Sequence, residues 1–383
     1  DVSVAIVGLA FLTRPSPFVA SCHCNSMMYY NDLPRLMERL GNGHISQNSC
    51  LHGDADLTTI LLWGNGMYPK WMTGNARAGM SDRTQYDCGA CSVPQLLFGY
   101  DGNLEQKVEN FGNYGDDDVA LAETMAYDDF VSYYDGSNPC LRHENYYSYL
   151  QNQFETNGAP KWNYVVINDN TRSPARSETR EKSLQALETY YLPWLQELGA
   201  TPVLLATYGY WTPYRDMGGL TDVPTFTSLT YEGYLQYSKL LQAGLPETQR
   251  PRVAKVGLAF LLVWEENKEL WGNLFHVDKI HASPAGTYLE ALIIYHTIFG
   301  EMAPRAVALR PDTSSMWDDA RRFSPPDQRR GRFPTPEEAA FLYNIAVRIC
   351  VYGVVPKSLT IYENGEAASY TPNDDLYRLD DLF

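Results

Sequence analysis

Two stretches hold the residue types that acyl transfer needs. Ser26 stands in "CHCNSMMYYNDLPRLMERL" (22–40), between a short apolar run and a helix start. Far along the chain, "HVDKIHASPAGTYLEA" (276–291) sets Asp278 three residues before His281, in a segment that ends at a second helix start, Ser283. In a serine–histidine–aspartate triad the histidine takes the serine's proton, and the aspartate fixes its tautomer and stabilises the imidazolium. A strand-to-helix turn is where several hydrolases hold their nucleophile. Each stretch alone also reads as a polar loop of any α/β protein, so the elements around them must carry the argument.

Those elements alternate. Strands are expected at "PSPFVASCHC", "HISQNSCL" (44–51), "KWNYVVIN" (161–168), "TPVLLATY" (201–208) and "RVAKVG" (252–257). Asp32 can cap a helix whose apolar face is Leu33, Leu36, Met37 and Leu40, at helical spacing. A long helix over about 177–198 places Leu184, Leu187, Tyr191, Leu195 and Leu198 on one face, with Gly199 as its stop. Helices follow near 230–243, 259–273 and 283–299, the last with Ser283 at the N-cap, Pro284 at its first position and Gly300 at its end. Another is expected over 335–351, before a strand-like "SLTIYE". This order predicts an α/β fold with a central parallel sheet and helices on both faces.

Two regions stand apart. Residues 66–140 are rich in Gly, Tyr, Asp and Asn without sustained periodicity, and read as a long insertion or cap on the C-terminal edge of the sheet. Residues 301–383 read as an extension packed on the same domain, which spans 1–300. The apolar "VAIVGLAFL" near the start reads as an extra strand or packing arm over 4–12.

Composition narrows the function. A net charge of −16 argues against nucleic acid as a partner. No run approaches the ~20 apolar residues of a membrane span. The 28 tyrosines suit a carbohydrate or another polyhydroxylated ligand, since the ring stacks and the hydroxyl hydrogen-bonds, although tyrosine also fills half-buried positions. Of seven cysteines, Cys22 and Cys24 form "CHC", and Cys88 and Cys91 lie in "CGAC". A zinc site needs better knuckles than C-x-C in a buried strand, so no metal is expected. One or two disulfides among Cys50, Cys88, Cys91 and Cys140 fit better, and with them a secreted or lumenal location, which no N-x-S/T sequon supports.

The blocks "CNSMMYYNDLP", "HGDADL", "NDNTRSPA" and "DKIHASPAGTYLEA", each beside a predicted strand or helix, resemble in order the four blocks of the SGNH hydrolase superfamily, the GDSL-like esterases. The likeness covers most of 17–300 and is strongest to branches whose first block reads G-N-S. It implies an SGNH or flavodoxin-like three-layer sandwich and a serine esterase without cofactor. Ser26 would be the nucleophile, His281 the base and Asp278 its orienting acid. The oxyanion hole would draw on the backbone N–H of Ser26 and of Gly53, and on the side-chain amide of Asn170 or Asn168. His52, and the pair Tyr210 and Trp211 in "GYWTPYRD", are candidates to touch substrate.

Departures from the pattern define a rival. Cys24 replaces the usual glycine of the first block, and the third block reads N-D-N-T rather than G-x-N-D. The superfamily's range and the tyrosines point to an ester of a small molecule or polysaccharide, with an O-acetylated carbohydrate favoured. The other reading is a fold that has lost catalysis and serves binding or self-assembly through 66–140.

Overall fold

The computed structural model describes residues 18–24, 26–41, 45–51, 56–58, 97, 162–211, 220, 222–309, 333–363 and 366–367. Its sheet contains five parallel strands, β1 (Phe18–Cys24), β2 (Ile45–Leu51), β3 (Tyr164–Ile167), β4 (Thr201–Leu205) and β5 (Arg252–Ala254), in the order β2-β1-β3-β4-β5. That order is the flavodoxin-like form of the doubly wound fold. Val165, Val166 and Ile167 of β3 are all buried, the unbroken apolar run of a strand covered on both faces. Register brings the strand ends level, with Cys24 opposite Leu51, His23 opposite Ile167, and Ile167 opposite Leu204.

Helices cover the sheet as the periodicity predicts, with shifts at their boundaries. The helix expected after Asp32 is preceded by α1 (Ser26–Tyr29) and a 3₁₀ turn (Tyr30–Asp32), and Asn31 kinks the junction at φ 54°. Beyond it α2 (Leu33–Leu40) buries the predicted face of Leu33, Leu36, Met37 and Leu40. The long helix, preceded by a separate α3 (Arg172–Ala175), is divided into α4 (Ser177–Ala186), a π turn (Leu187–Tyr191) and α5 (Leu192–Leu198). Pro193 lacks an N–H and its ring crowds the carbonyl four residues back, which accounts for the widened turn. Leu187, Tyr191 and Leu195 still share a buried face.

The fourth crossover helix, α6 (Val223–Gly244), begins earlier than its apolar pattern suggests, because Asp222 caps it by accepting from Thr225 N at 2.7 Å. The helix expected over 259–273 is two, α7 (Val256–Glu266) and α8 (Lys268–Asn273), since Asn267 leaves helical geometry to cap the second. The next, α9 (Pro284–Phe299), has the predicted Ser283 cap and ends at Gly300 with φ 72°. After a short α10 (Arg305–Ala308) comes α11 (Pro336–Cys350), which opens on a capping box between Thr335 and Glu338. "SLTIYE" yields only a two-residue strand, β6 (Tyr362–Glu363), paired antiparallel with β7 (Glu366–Ala367).

From β1 the chain steps one way to β2 and from β3 the other way to β4 and β5, so right-handed crossovers place their helices on opposite faces. On one face α2 packs on α9, which also meets α7 and α11; elsewhere α6 packs on α3 and the π turn. Leu342, Ile345 and Ile349 of α11 enter the same core as α9, and Arg348 grips Glu266 of α7 with bonds of 2.8 and 2.6 Å. Leu97 is likewise in that core, where its carbonyl accepts from Trp162 Nε1 at 2.8 Å. The 4–12 arm and the rest of the 66–140 region lie outside the described residues, as do the cysteine side chains other than Cys350, so the expected disulfides fall there too. Cys350 is a free thiol that burial pushes up to about 12.

Candidate active site

Because β1 to β4 are parallel and end level, the segments leaving them share one edge of the sheet. These begin at Ser26, residue 52, Asn168 and Ala206. Open α/β sheets place their ligands at that edge. The segment between α8 and α9 reaches it as a tight loop. Phe275 and Ala282 form an antiparallel bridge, His276 N donates to His281 O at 2.7 Å, and Ser283 N donates to Leu274 O at 2.8 Å. Gly286 lets this loop lie on the start of α9, since a Cβ there would stand 2.2 Å from Leu274 O.

Inside the loop Asp278 is fully engaged. Its Oδ1 accepts from Ile280 N at 2.9 Å and from His281 N at 3.0 Å. Its Oδ2 lies 2.7 Å from His281 Nδ1. Lys279, between them, takes the left-handed conformation at φ 63°, which is strained for a residue with a side chain. Partial burial works against the Asp278 charge, but the bonds from the His281 ring and from the two backbone N–H groups outweigh it and hold the carboxyl below the usual carboxylate range. A carboxylate on Nδ1 requires a proton there, so the neutral ring carries its lone pair on Nε2.

Three contacts tie the loop to the rest of the edge. Tyr30 stacks on the His281 ring with centroids 3.8 Å apart and planes within 3°. Asn31, wholly buried, donates from Nδ2 to Ala282 O at 2.8 Å and to Thr287 Oγ1 at 3.0 Å. Trp211 N donates to Lys279 O at 3.1 Å. Tyr30 lies four residues, about one helical turn, after Ser26. The backbone that begins at Ser26 therefore comes within about a turn of His281. The Ser26 side chain and residues 52 and 53 are outside the described set.

After β3 the two candidate asparagines have different partners. Asn168 turns into the core, where its Nδ2 donates to Tyr234 OH at 3.3 Å. Asn170 Oδ1 accepts from Arg172 N at 3.1 Å and from Arg172 Nε at 3.4 Å. Between them Asp169, fully buried, accepts from Leu57 N at 3.1 Å, Asn170 N at 2.8 Å, Ser183 Oγ at 2.7 Å and Tyr237 OH at 2.8 Å. Burial, and after it the charge of Asp56, push its carboxyl up to about 7 against the pull of those bonds.

The two aromatic candidates part company. Trp211 is exposed beside the loop, tilted against Trp271 and under Lys279 Nζ, which lies 5.2 Å from its ring centroid. Tyr210 is buried, edge-on against Phe226. His276 also stands at the pair: its Nδ1 is 3.2 Å from Asp278 Oδ2, and its ring meets Tyr30 edge-on. Tyr30, Asn31, Asp169 and His276 are thus parts of the site that the sequence reading left out. The signal for the first two was their position one turn past Ser26, and for Asp169 a lone acid between two strand-end asparagines.

No family model and no curated protein matches the sequence. Among solved structures, a protein described as "a putative SGNH hydrolase" from Slackia heliotrinireducens is 15% identical with a TM-score of 0.39, over 73% of this chain and 98% of that one. A DUF4886 family protein from Bacteroides uniformis is 11% identical with a TM-score of 0.45, over 92% of this chain and 99% of that one. The strand order and the parallel sheet define the fold independently of these likenesses: it is a flavodoxin-like α/β sandwich, as expected. Among the described residues no helix is long and apolar enough to cross a membrane, and no three His, Cys, Asp or Glu gather as a metal site.

Proposed function

We propose that the chain is a serine ester hydrolase of SGNH type that removes a short acyl group, foremost O-acetyl, from a carbohydrate-like substrate. The observation that carries this reading is the 2.7 Å bond between Asp278 and His281 Nδ1, at the same sheet edge as the turn that starts at Ser26. Ser26 Oγ attacks the ester carbonyl while His281 Nε2 takes its proton, and Asp278 stabilises the imidazolium. The tetrahedral oxyanion is met by the N–H groups of Ser26 and Gly53 and by Asn170 Nδ2. As the C–O bond breaks, His281 returns the proton to the leaving alcohol, and the acyl group stays on Ser26. Water then attacks the acyl-serine with the same base, releasing the acid and the free hydroxyl. Trp211, exposed beside the loop, offers a face on which a sugar ring can stack.

Labelling with a fluorophosphonate probe, mapped by mass spectrometry, tests the nucleophile. Modification of Ser26 that Ser26→Ala abolishes is the expected result, followed by release of acetate from acetylated sugars. A folded protein that takes no label would leave a non-catalytic binding module as the better account.

A further inference from the structure

The stack of Tyr30 on His281 sets an aromatic face against the ring that would take up a proton during acyl transfer. With centroids 3.8 Å apart and planes within 3°, the rings lie parallel and in contact. Two neutral rings also stack in this way, as Tyr208 and Phe260 do with centroids 3.9 Å apart and planes within 8°. A ring that becomes a cation over a π face gains a further electrostatic attraction. We propose that Tyr30 is a positioning residue for His281, whose ring face holds the imidazole in the plane of Asp278 and stabilises the imidazolium formed during acyl transfer. The catalytic half of this statement rests on the esterase reading above; the preference for the charged ring does not.

The surroundings agree. Tyr30 also touches His276 edge-on, with centroids 5.4 Å apart, so one tyrosine braces both rings that approach Asp278 Oδ2. Its own position is set by the buried Asn31 next to it, which bonds Ala282 O at the end of the loop. The titratable and charged groups facing the pair can be named from each element. The loop supplies Asp278, His276 and Lys279, the last directed over Trp211. The segment after β4 supplies Tyr208, buried and within reach of the Asp278 charge. Behind Tyr208, α9 supplies Glu290, a wholly buried acid that burial pushes well above the usual carboxyl range. Asp278 favours the imidazolium from the ring edge, and Tyr30 is the group on its face.

The test is a proton NMR titration of the free protein. Among the seven histidines, His281 is assigned by the resonance lost in His281→Gln. In Tyr30→Leu the His281 pKa should fall by about half a unit to one unit, since the charged ring loses its π partner. Tyr30→Phe should leave it in place, and Tyr30→Met supplies a second apolar variant if the leucine form does not fold. An unmoved titration in a folded leucine or methionine variant overturns the proposal. A shift shared by the phenylalanine variant overturns it as well, because the hydroxyl would then be responsible. With an active esterase, Tyr30→Leu should lower kcat about threefold to tenfold at unchanged KM and move the acid limb of the profile to lower pH. Ser26 labelling reports separately on the esterase reading, so failure of one leaves the other decided.

Discussion

Asp169 and Asp278 are both ringed by donors at the same edge of the sheet, yet their environments drive them apart. Asp169 is wholly buried among two backbone N–H groups and two hydroxyls, none of them a cation, and its carboxyl is pushed up to about 7. Asp278 keeps 30% of its side chain exposed and faces an imidazole that can become charged, and its carboxyl is held low. Hydrogen-bond number does not separate them. What separates them is burial and the presence of a partner able to take a proton. The first is suited to tying loops together, the second to sharing a charge during reaction.

This division is broken or sharpened most strongly at Asp278. Asp278→Asn keeps an acceptor for the N–H groups of Ile280 and His281 but removes the charge that sets the His281 tautomer. It should lower kcat by roughly 10⁴, measured with an activated acetyl ester, while urea unfolding moves less than for the Asp169 variant below. A loss of stability equal to that of the Asp169 variant would erase the distinction between the two acids.

Next in size is the pair of asparagines. Asn170→Ala should reduce kcat by roughly 10²–10³ with little change in KM, as for the loss of one oxyanion donor. Asn168→Ala removes a bond to Tyr234 inside the core and should cost about 1 kcal/mol of stability instead. Steady-state kinetics on both variants separates the roles, and equal rate losses would return the choice of donor to an open question.

Asp169→Ala comes third. It strips the acceptor from four buried donors at once, joining the Leu57 segment, the strand-end loop, α4 and α6. Unsatisfied donors cost about 1–3 kcal/mol each, partly relieved by relaxation. A net loss of about 3 kcal/mol in urea unfolding is expected, with Asp278 and His281 still paired.

Much of this was legible in the residues, for definite reasons. The parallel sheet follows from alternating short apolar runs and capped helices, and α9 announces itself through Ser283, Pro284 and Gly300. Asp278 and His281 are three residues apart in one loop, so local geometry alone joins them. What failed to show depends on contacts distant in sequence. Asn31 reaches Ala282 across 251 residues, and Tyr237 reaches Asp169 across 68. No local pattern marks a tyrosine as the stacking partner of a histidine so far down the chain. Boundaries slipped where one polar residue overrode an apolar pattern: Asn267 splits the helix expected over 259–273, and Asp222 starts α6 early. Tyr210 and Trp211 are adjacent and alike in type, and only packing against Phe226 separates the buried one from the exposed one.

The smallest effect tests the contrast through pH. The Asp169 carboxyl titrates near 3.8 when free and at about 7 in the fold. Between those values the folded chain keeps a proton that the unfolded chain has lost, so stability falls as pH rises and levels off above about 7. Asp278 has the opposite sign. Its folded carboxyl ionises more readily than its unfolded one, so its contribution is complete above the ordinary carboxyl range and is lost as pH drops below it. One proton limits either slope to about 1.4 kcal/mol per pH unit. Urea unfolding at half-unit steps from pH 4 to 8 should therefore show a decline, to which the buried Glu290 also contributes, that Asp169→Asn makes shallower and Asp278→Asn leaves intact. If Asp169→Asn leaves the slope unchanged, the four donors hold that carboxylate charged despite its burial, and the two aspartates are alike in charge and differ only in their partners.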